Sequence, residues 1–361
     1  MLLLRMAGMV PDDLLSEARM WLAEGLLADV AQAIAFAVSG RIPILAVDVA
    51  LIAAALSAAG EDTEVLRDLE VVEETLPAPF PWLFSPIRID DARTAAPGPP
   101  SLDVTLVPSA DLDAVDRAAR AAVDGVSGVN ALYRSWRFPA DGPSWPSARR
   151  VFIVSTAASV PDGDLPTLTA WLQETLSDAG ETDPQVEVTR EGMAVPRYHS
   201  LAWVHSALLW AKEAIVELKL ARVFDAADPD LGPSFALDHL ILDDPEEIGR
   251  MLDYLNSAQP VLITTAVMAD IVDPERAQVV PLTFRTDGVW IWTDTISYYL
   301  GRYGLAPEED LLDHLRSVDL PAPVSEVALH RVLAYLQAPG DVESVWVVPT
   351  TGESEQSRAT V

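Results

Sequence analysis

The chain has 361 residues, half of them apolar, and its 55 acidic side chains against 24 basic ones leave a formal charge of −31. That length allows two or three domains with sizeable cores, and disorder is not the default for such a composition. Only Lys212 and Lys219 are lysines and no basic run exceeds Arg149-Arg150, which argues against nucleic acid as a partner, because binding to a phosphate backbone depends on clustered cations. The field favours a cationic protein partner, although acidity also serves solubility. The chain has no cysteine, so disulfides, thiolate nucleophiles and Cys-ligated zinc are ruled out, and a reducing, cytoplasmic location fits.

The opening MLLLRMAGMV runs straight into Pro11-Asp12-Asp13 with no small-residue cleavage site, and reads as no signal peptide. Pro11 and two acidic residues open a helix whose Leu14, Leu15, Ala18, Trp21 and Leu22 recur at helical spacing. Apolar runs from Leu26 to Val38 and from about Pro43 to Ala59, with a fourth segment from Asp62 to Leu76, complete a helical module over residues 1–76. The 43–59 run is interrupted by Asp48, so it reads as a buried helix rather than a membrane span, which needs about 20 apolar residues. These helices are too apolar to satisfy one another and should dock on the rest of the chain. Seven prolines between Pro77 and Pro100 mark a linker, residues 77–100, whose first part lies against a domain surface.

Residues 101–197 alternate strand-like and helix-like periods in the order β-α-β-β-α-β: LDVTLVP, Asp111–Val123, NALYRSWRF, RRVFIVS, Pro166–Ala179 and Gln185–Thr189. That order predicts a ferredoxin-like domain. Residues 198–349 predict a second α+β domain, beginning with a helix from Tyr198 through Trp210 and closing on the strand Val345-Trp346-Val347-Val348, and residues 350–361 read as a disordered tail. The fold class is therefore α+β.

Within the second domain, PLTFRTDGVWIWTDTISYYL places Asp287-Gly288 between two alternating runs. A two-residue type I′ hairpin is expected there, pairing Arg285 with Trp290 and Phe284 with Ile291. One face, with Leu282, Phe284, Val289 and Ile291, should meet a core. The other would stack Arg285 between Trp290 and Trp292, with Tyr298 and Tyr299 on the following helix, and is either covered or an exposed contact surface. These five residues are the candidate binding set.

Candidate chemistry is sparse. The five histidines (His199, His205, His239, His314, His330) lack metal-site spacing. Asp225, Asp228 and Asp230 form an acidic loop that could attract calcium or magnesium, yet their spacing departs from a calcium loop and fits ordinary turn chemistry. No nucleophile elbow, phosphate-binding loop or dinucleotide fingerprint is present, and no cofactor is expected.

The segments PDDLLSEARMWLAEG, YRSWRFPADGPSWPSARRVFIV and PLTFRTDGVWIWTDTISYYLGRYGLAPEEDLLDHL resemble those of acidic actinobacterial proteins that share a TDGxWIW hairpin, some of them associated with secreted toxins. The resemblance implies no catalytic residues. Taken together, these features point to a non-enzymatic protein that binds a basic protein, of which an immunity-type toxin inhibitor is one form. A hydrolase or metal-dependent enzyme using the loop at 225–244, and an assembly subunit, are the alternatives.

Overall fold

The computed structural model describes residues 1–39, 42–73, 81–88, 102–140, 148–228, 230–276 and 278–337, in two compact α+β units, Met1–Ala214 and Ile215–Val361. The expected strand at Val345–Val348 and the tail at 350–361 lie outside the described residues. Among those described, no helix is long and apolar enough to cross a membrane.

The first unit starts with helices α1 (Leu2–Met6), α2 (Asp12–Glu24) and α3 (Leu27–Val38). Strand β1 (Ile44–Leu45), helix α4 (Ala46–Ala59) and strand β2 (Val71–Val72) follow, with β1 parallel to β2. Gly60 ends α4 in a left-handed conformation that an L side chain resists, and Gly25 ends α2 in the same way. Next come β3 (Trp82–Ser85), β4 (Leu102–Asp103), α5 (Ala114–Val123), β5 (Val129–Pro139), β6 (Arg149–Thr156), α6 (Asp164–Asp178), β7 (Gln185–Arg190), α7 (Arg197–Val204) and β8 (Ala207–Ala211). Asp113 caps α5 by accepting from Val115 N and Asp116 N.

The sheet runs β4-β8-β5-β6-β7, with β3 also paired to β5. This corrects the ferredoxin-like expectation. In a split β-α-β one strand separates the two that a helix connects, but here α6 carries β6 directly to its parallel neighbour β7. The physical cause is burial on both faces. Strand β6 is buried at every position after Arg149, because α5 and α6 cover one face while α7 packs on β5 and β6 from the other. Two further expectations change. Leu208, Leu209 and Trp210 belong to β8, not to a helix from Tyr198, because Ser206 Oγ closes the end of α7 on Trp203 O (2.6 Å) and β5 then supplies a partner strand. Part of the proline-rich linker is β3, paired from Trp82↔Pro139 to Ser85↔Trp136.

The N-terminal helices belong to this same unit. Helix α2 packs along α6 and reaches the edge strand β7, where Ser16 Oγ donates to Pro184 O (3.0 Å) and Gln185 Nε2 donates to Ser16 Oγ (2.9 Å). Beside them Arg19 pairs with Glu187, and His199 Nε2 lies 3.0 Å from the second Glu187 oxygen. All three side chains are buried. Burial works to raise the Glu187 carboxyl, but Arg19 and His199 outweigh it and hold the group below the ordinary range.

The second unit contains β9 (Lys219–Leu220), β10 (Ala226–Asp228), β11 (Gly232–Ser234), α8 (Pro245–Ser257), β12 (Gln259–Leu262), β13 (Val267–Ala269), β14 (Gln278–Pro281), β15 (Phe284–Thr286), β16 (Trp290–Thr293), α9 (Asp294–Tyr303), α10 (Glu309–Ser317) and α11 (Glu326–Gln337). Its main sheet has the order β12-β15-β16-β9, and β10/β11 and β13/β14 form separate antiparallel pairs.

Candidate functional site

The hairpin exists, but in another register. Thr286 pairs with Ile291, Arg285 with Trp292 and Phe284 with Thr293, so the connection spans four residues, 287–290. Of the two central residues in the expected type I′ turn, only Gly288 has positive φ (95°). Asp287 instead folds the loop with its side chain, Oδ1 accepting from Val289 N (2.9 Å) and Trp290 N (2.7 Å). Its other oxygen accepts from Tyr254 (2.9 Å) and faces His314 Nε2 (2.8 Å), tying the loop to α8 and α10. Side-chain capping of this kind offers the loop an alternative to backbone turn chemistry.

The aromatic face is consequently inside. Trp290 is 4% exposed and Trp292 0%, within a core built with Tyr254, Leu255, Ile296 and Leu311. Arg285 does not stack between them. It donates through Nε to Asp294 (2.6 Å) and through Nη1 to the carbonyls of Asn256 (2.9 Å) and Ala258 (3.0 Å), while Lys219 Nζ lies 5.1 Å from the Trp290 ring centre. Tyr299 is buried and accepts from Ile271 N (3.1 Å), and its hydroxyl is pushed up to about 12, chiefly by burial. Tyr298 donates to Asp270 (2.9 Å), which Tyr303 also meets. Trp290, Trp292 and Tyr299 therefore serve the second unit's interior, while Arg285 and Tyr298 are half-buried and held by Asp294 and Asp270. The arginine–indole stacking expected here occurs in the first unit, where Arg150 lies 4.6 Å from Trp136 and Arg137 4.2 Å from Trp82.

The acidic loop is a built element. Asp228 Oδ1 accepts from Asp230 N (2.8 Å) and Leu231 N (2.9 Å), and Asp225 Oδ2 accepts from Ala236 N (2.7 Å) and faces His239 Nδ1 (2.8 Å). Burial works to raise the Asp225 carboxyl, but the Ala236 N–H and His239 hold it low. Asp225 and Asp228 each turn one oxygen into their own loop, and among the described residues no group of three or more His, Asp or Glu could hold a metal ion. His239 Nε2 reaches Ala306 O (3.0 Å), Ala306 N donates to Leu240 O (3.0 Å), and Leu242 N donates to Gly304 O (2.8 Å). Gly304 makes that approach feasible: its φ is +70°, and a Cβ there would lie 2.5 Å from Leu242 O.

On this pinned backbone the side chains face solvent. Leu231 is 89% and Leu237 110% exposed, Leu240 and Ile241 are exposed beside them, and Asp228, Asp230, Asp238, Asp243 and Asp244 are exposed among them. No Lys or Arg occurs between Arg222 and Arg250. The chain matches no protein-family model, no curated protein and no solved structure.

The surface sign follows from how the arginines are used. Arg19, Arg134, Arg137, Arg150 and Arg285 are held in ion pairs with Glu187, Asp116, Asp12, Asp113 and Asp294. With so much positive charge turned inward, Asp225 has His239 and Arg222 near it, but the loop from 225 to 244 carries no Lys or Arg of its own. Sequence reasoning takes this loop for ordinary turn chemistry, with metal binding as the alternative, and misses its aliphatic side chains. The available signal was five large aliphatics, Leu231, Leu237, Leu240, Ile241 and Leu242, spaced through a carboxylate-rich loop without Lys or Arg.

Proposed function

We propose that the chain is a non-catalytic binding protein that docks a basic protein through the acidic, leucine-rich loop at 225–244. The observation that carries this reading is Leu237 and its aliphatic neighbours standing in solvent on a backbone fixed at both ends by hydrogen bonds. A preorganised aliphatic patch avoids part of the ordering cost of association. The surrounding carboxylates speed encounter with a cationic partner and set orientation, a contribution that salt screens. The narrower form, an immunity-type inhibitor of a basic toxin, draws on the resemblance to toxin-associated acidic proteins, and the cysteine-free composition supports action in the cytoplasm.

The test uses the full chain immobilised at low salt against lysate of the source organism, beside a variant carrying Leu237→Ser, Leu240→Ser and Asp238→Lys. The expected result is a basic protein retained by the parent, released at about 1 M salt, where the screening length is roughly 3 Å, and missing from the variant. Equal retention by both, or none by the parent, refutes the reading. Co-expression of the captured protein with the parent tests the inhibitor form, which requires that its toxicity be suppressed.

A further inference from the structure

In the first unit, between the N-terminal helices and the β7 edge of the sheet, lies a cavity of about 530 Å³. The cavity is open to solvent on one side, past Met1, Leu51 and Asp162, and its volume is in the range of small-molecule sites. Its floor is hydrocarbon: Val30, Ala31, Ile52, Leu165 and Val186 line it and are buried. Such walls offer water no hydrogen-bond partners. Leu51, half exposed on α4, also lines it, which gives that helix, apolar apart from Asp48 and Ser57, a use for a side it does not turn to α3.

The polar side chains that line the cavity are already engaged, and the amino group of Met1, which also lines it beside Asp162, is pushed below its ordinary value chiefly by burial, which favours its uncharged form. Thr169 Oγ1 donates to Leu165 O (2.8 Å), while Arg19 donates from Nη1 to Gln185 (3.4 Å) and from Nη2 to Glu187. Arg190 and the exposed Asp162 pair at 3.2 Å where the lining reaches solvent. That pair is neutral as a whole and presents both a donor and an acceptor. We propose that the cavity binds a single aliphatic chain bearing an uncharged, hydrogen-bonding head, of the fatty-alcohol or monoacylglycerol kind, with the head meeting Asp162 and Arg190. A carboxylate head is disfavoured by Asp162 and by a chain of net charge −31. The proposal concerns the first unit and is independent of the loop at 225–244.

The experiment titrates the full chain with the neutral apolar fluorophore N-phenyl-1-naphthylamine, then displaces it with monodecanoylglycerol or decanoate. Two variants accompany it: Ala55→Trp, which fills the cavity from α4, and Leu51→Gln, a half-exposed position that tolerates a polar side chain. We expect saturable one-site uptake, displacement by monodecanoylglycerol at concentrations at least tenfold lower than decanoate, and an affinity loss of tenfold or more in Ala55→Trp with an unchanged thermal midpoint. Should Ala55→Trp fail to fold, Leu51→Gln carries the same readout, with a severalfold loss expected. Absence of saturable uptake, or uptake unchanged in the folded variants, overturns the cavity assignment. Equal displacement by decanoate overturns the neutral head.

Discussion

Replacing Arg19 by Met removes a cation from a buried ion pair of the first unit while keeping much of its aliphatic stem. Arg19 and Glu187 side chains are 5% and 0% exposed, so Glu187 would be left with the His199 ring beside it and no arginine. Breaking a buried pair from one side costs about 3–5 kcal/mol, because the surviving charge stays desolvated. With a urea dependence of about 3 kcal/mol per molar for a unit of this size, the first unit's midpoint should fall by roughly 1–1.7 M. The companion Arg19→Met, Glu187→Met should recover most of that loss, since apolar replacement of both partners is often close to neutral. Urea unfolding of the full chain followed by tryptophan fluorescence provides the assay, with the first unit's transition analysed separately. If Arg19→Met stays within about 0.5 kcal/mol of the parent, as an ordinary surface change would, or if the double variant is worse than the single, the reasoning about this pair is refuted.

Other consequences follow from the same geometry. Asp287→Ala should destabilise the second unit by about 2–4 kcal/mol, since it removes a cap and leaves buried donors unmatched; Asp287→Asn, which can still accept from Val289 N and Trp290 N, should lose less in thermal melts. Glu187 and Asp270 are both held below the ordinary carboxylate range, Asp270 because Tyr303, Tyr298 and two backbone N–H groups outweigh its burial. A depressed folded-state value contributes stability above the unfolded value, and that contribution is lost as pH falls through the folded one. Thermal midpoints should therefore drop below about pH 4, and Glu187→Gln or Asp270→Asn should flatten that acid limb; an unchanged limb in both variants contradicts the assignment. Gly304→Ala should cost at least about 1–2 kcal/mol from its left-handed backbone alone, and should raise amide exchange at 240–242 while weakening capture of the basic partner.

The second unit shows where sequence patterning is informative and where it fails. The alternation around Asp287-Gly288 marks a hairpin, and both strands form. Its register depends on whether Asp287 uses its backbone or its carboxylate to close the loop, a choice made by Tyr254 and His314 from helices α8 and α10. Those partners are distant in sequence. Periodicity likewise identifies α2, α5, α6 and the runs that become β5 to β7, because amphipathic spacing is local. It does not fix which strands become neighbours, because the β6-β7 pairing is made by backbone groups whatever the side-chain period. The candidate surface was hardest to read, because four exposed aliphatics resemble core residues until the fold leaves them outside.

The Arg19–Glu187 contact also bears on synthesis. Its partners are separated by 168 positions, so at 5–20 residues per second the ribosome needs roughly ten to thirty seconds between making the helix and making the strand that completes it. During that interval the apolar N-terminal helices have no sheet edge to dock against. The nascent chain is then most exposed to aggregation and to chaperone capture, before its second unit has emerged.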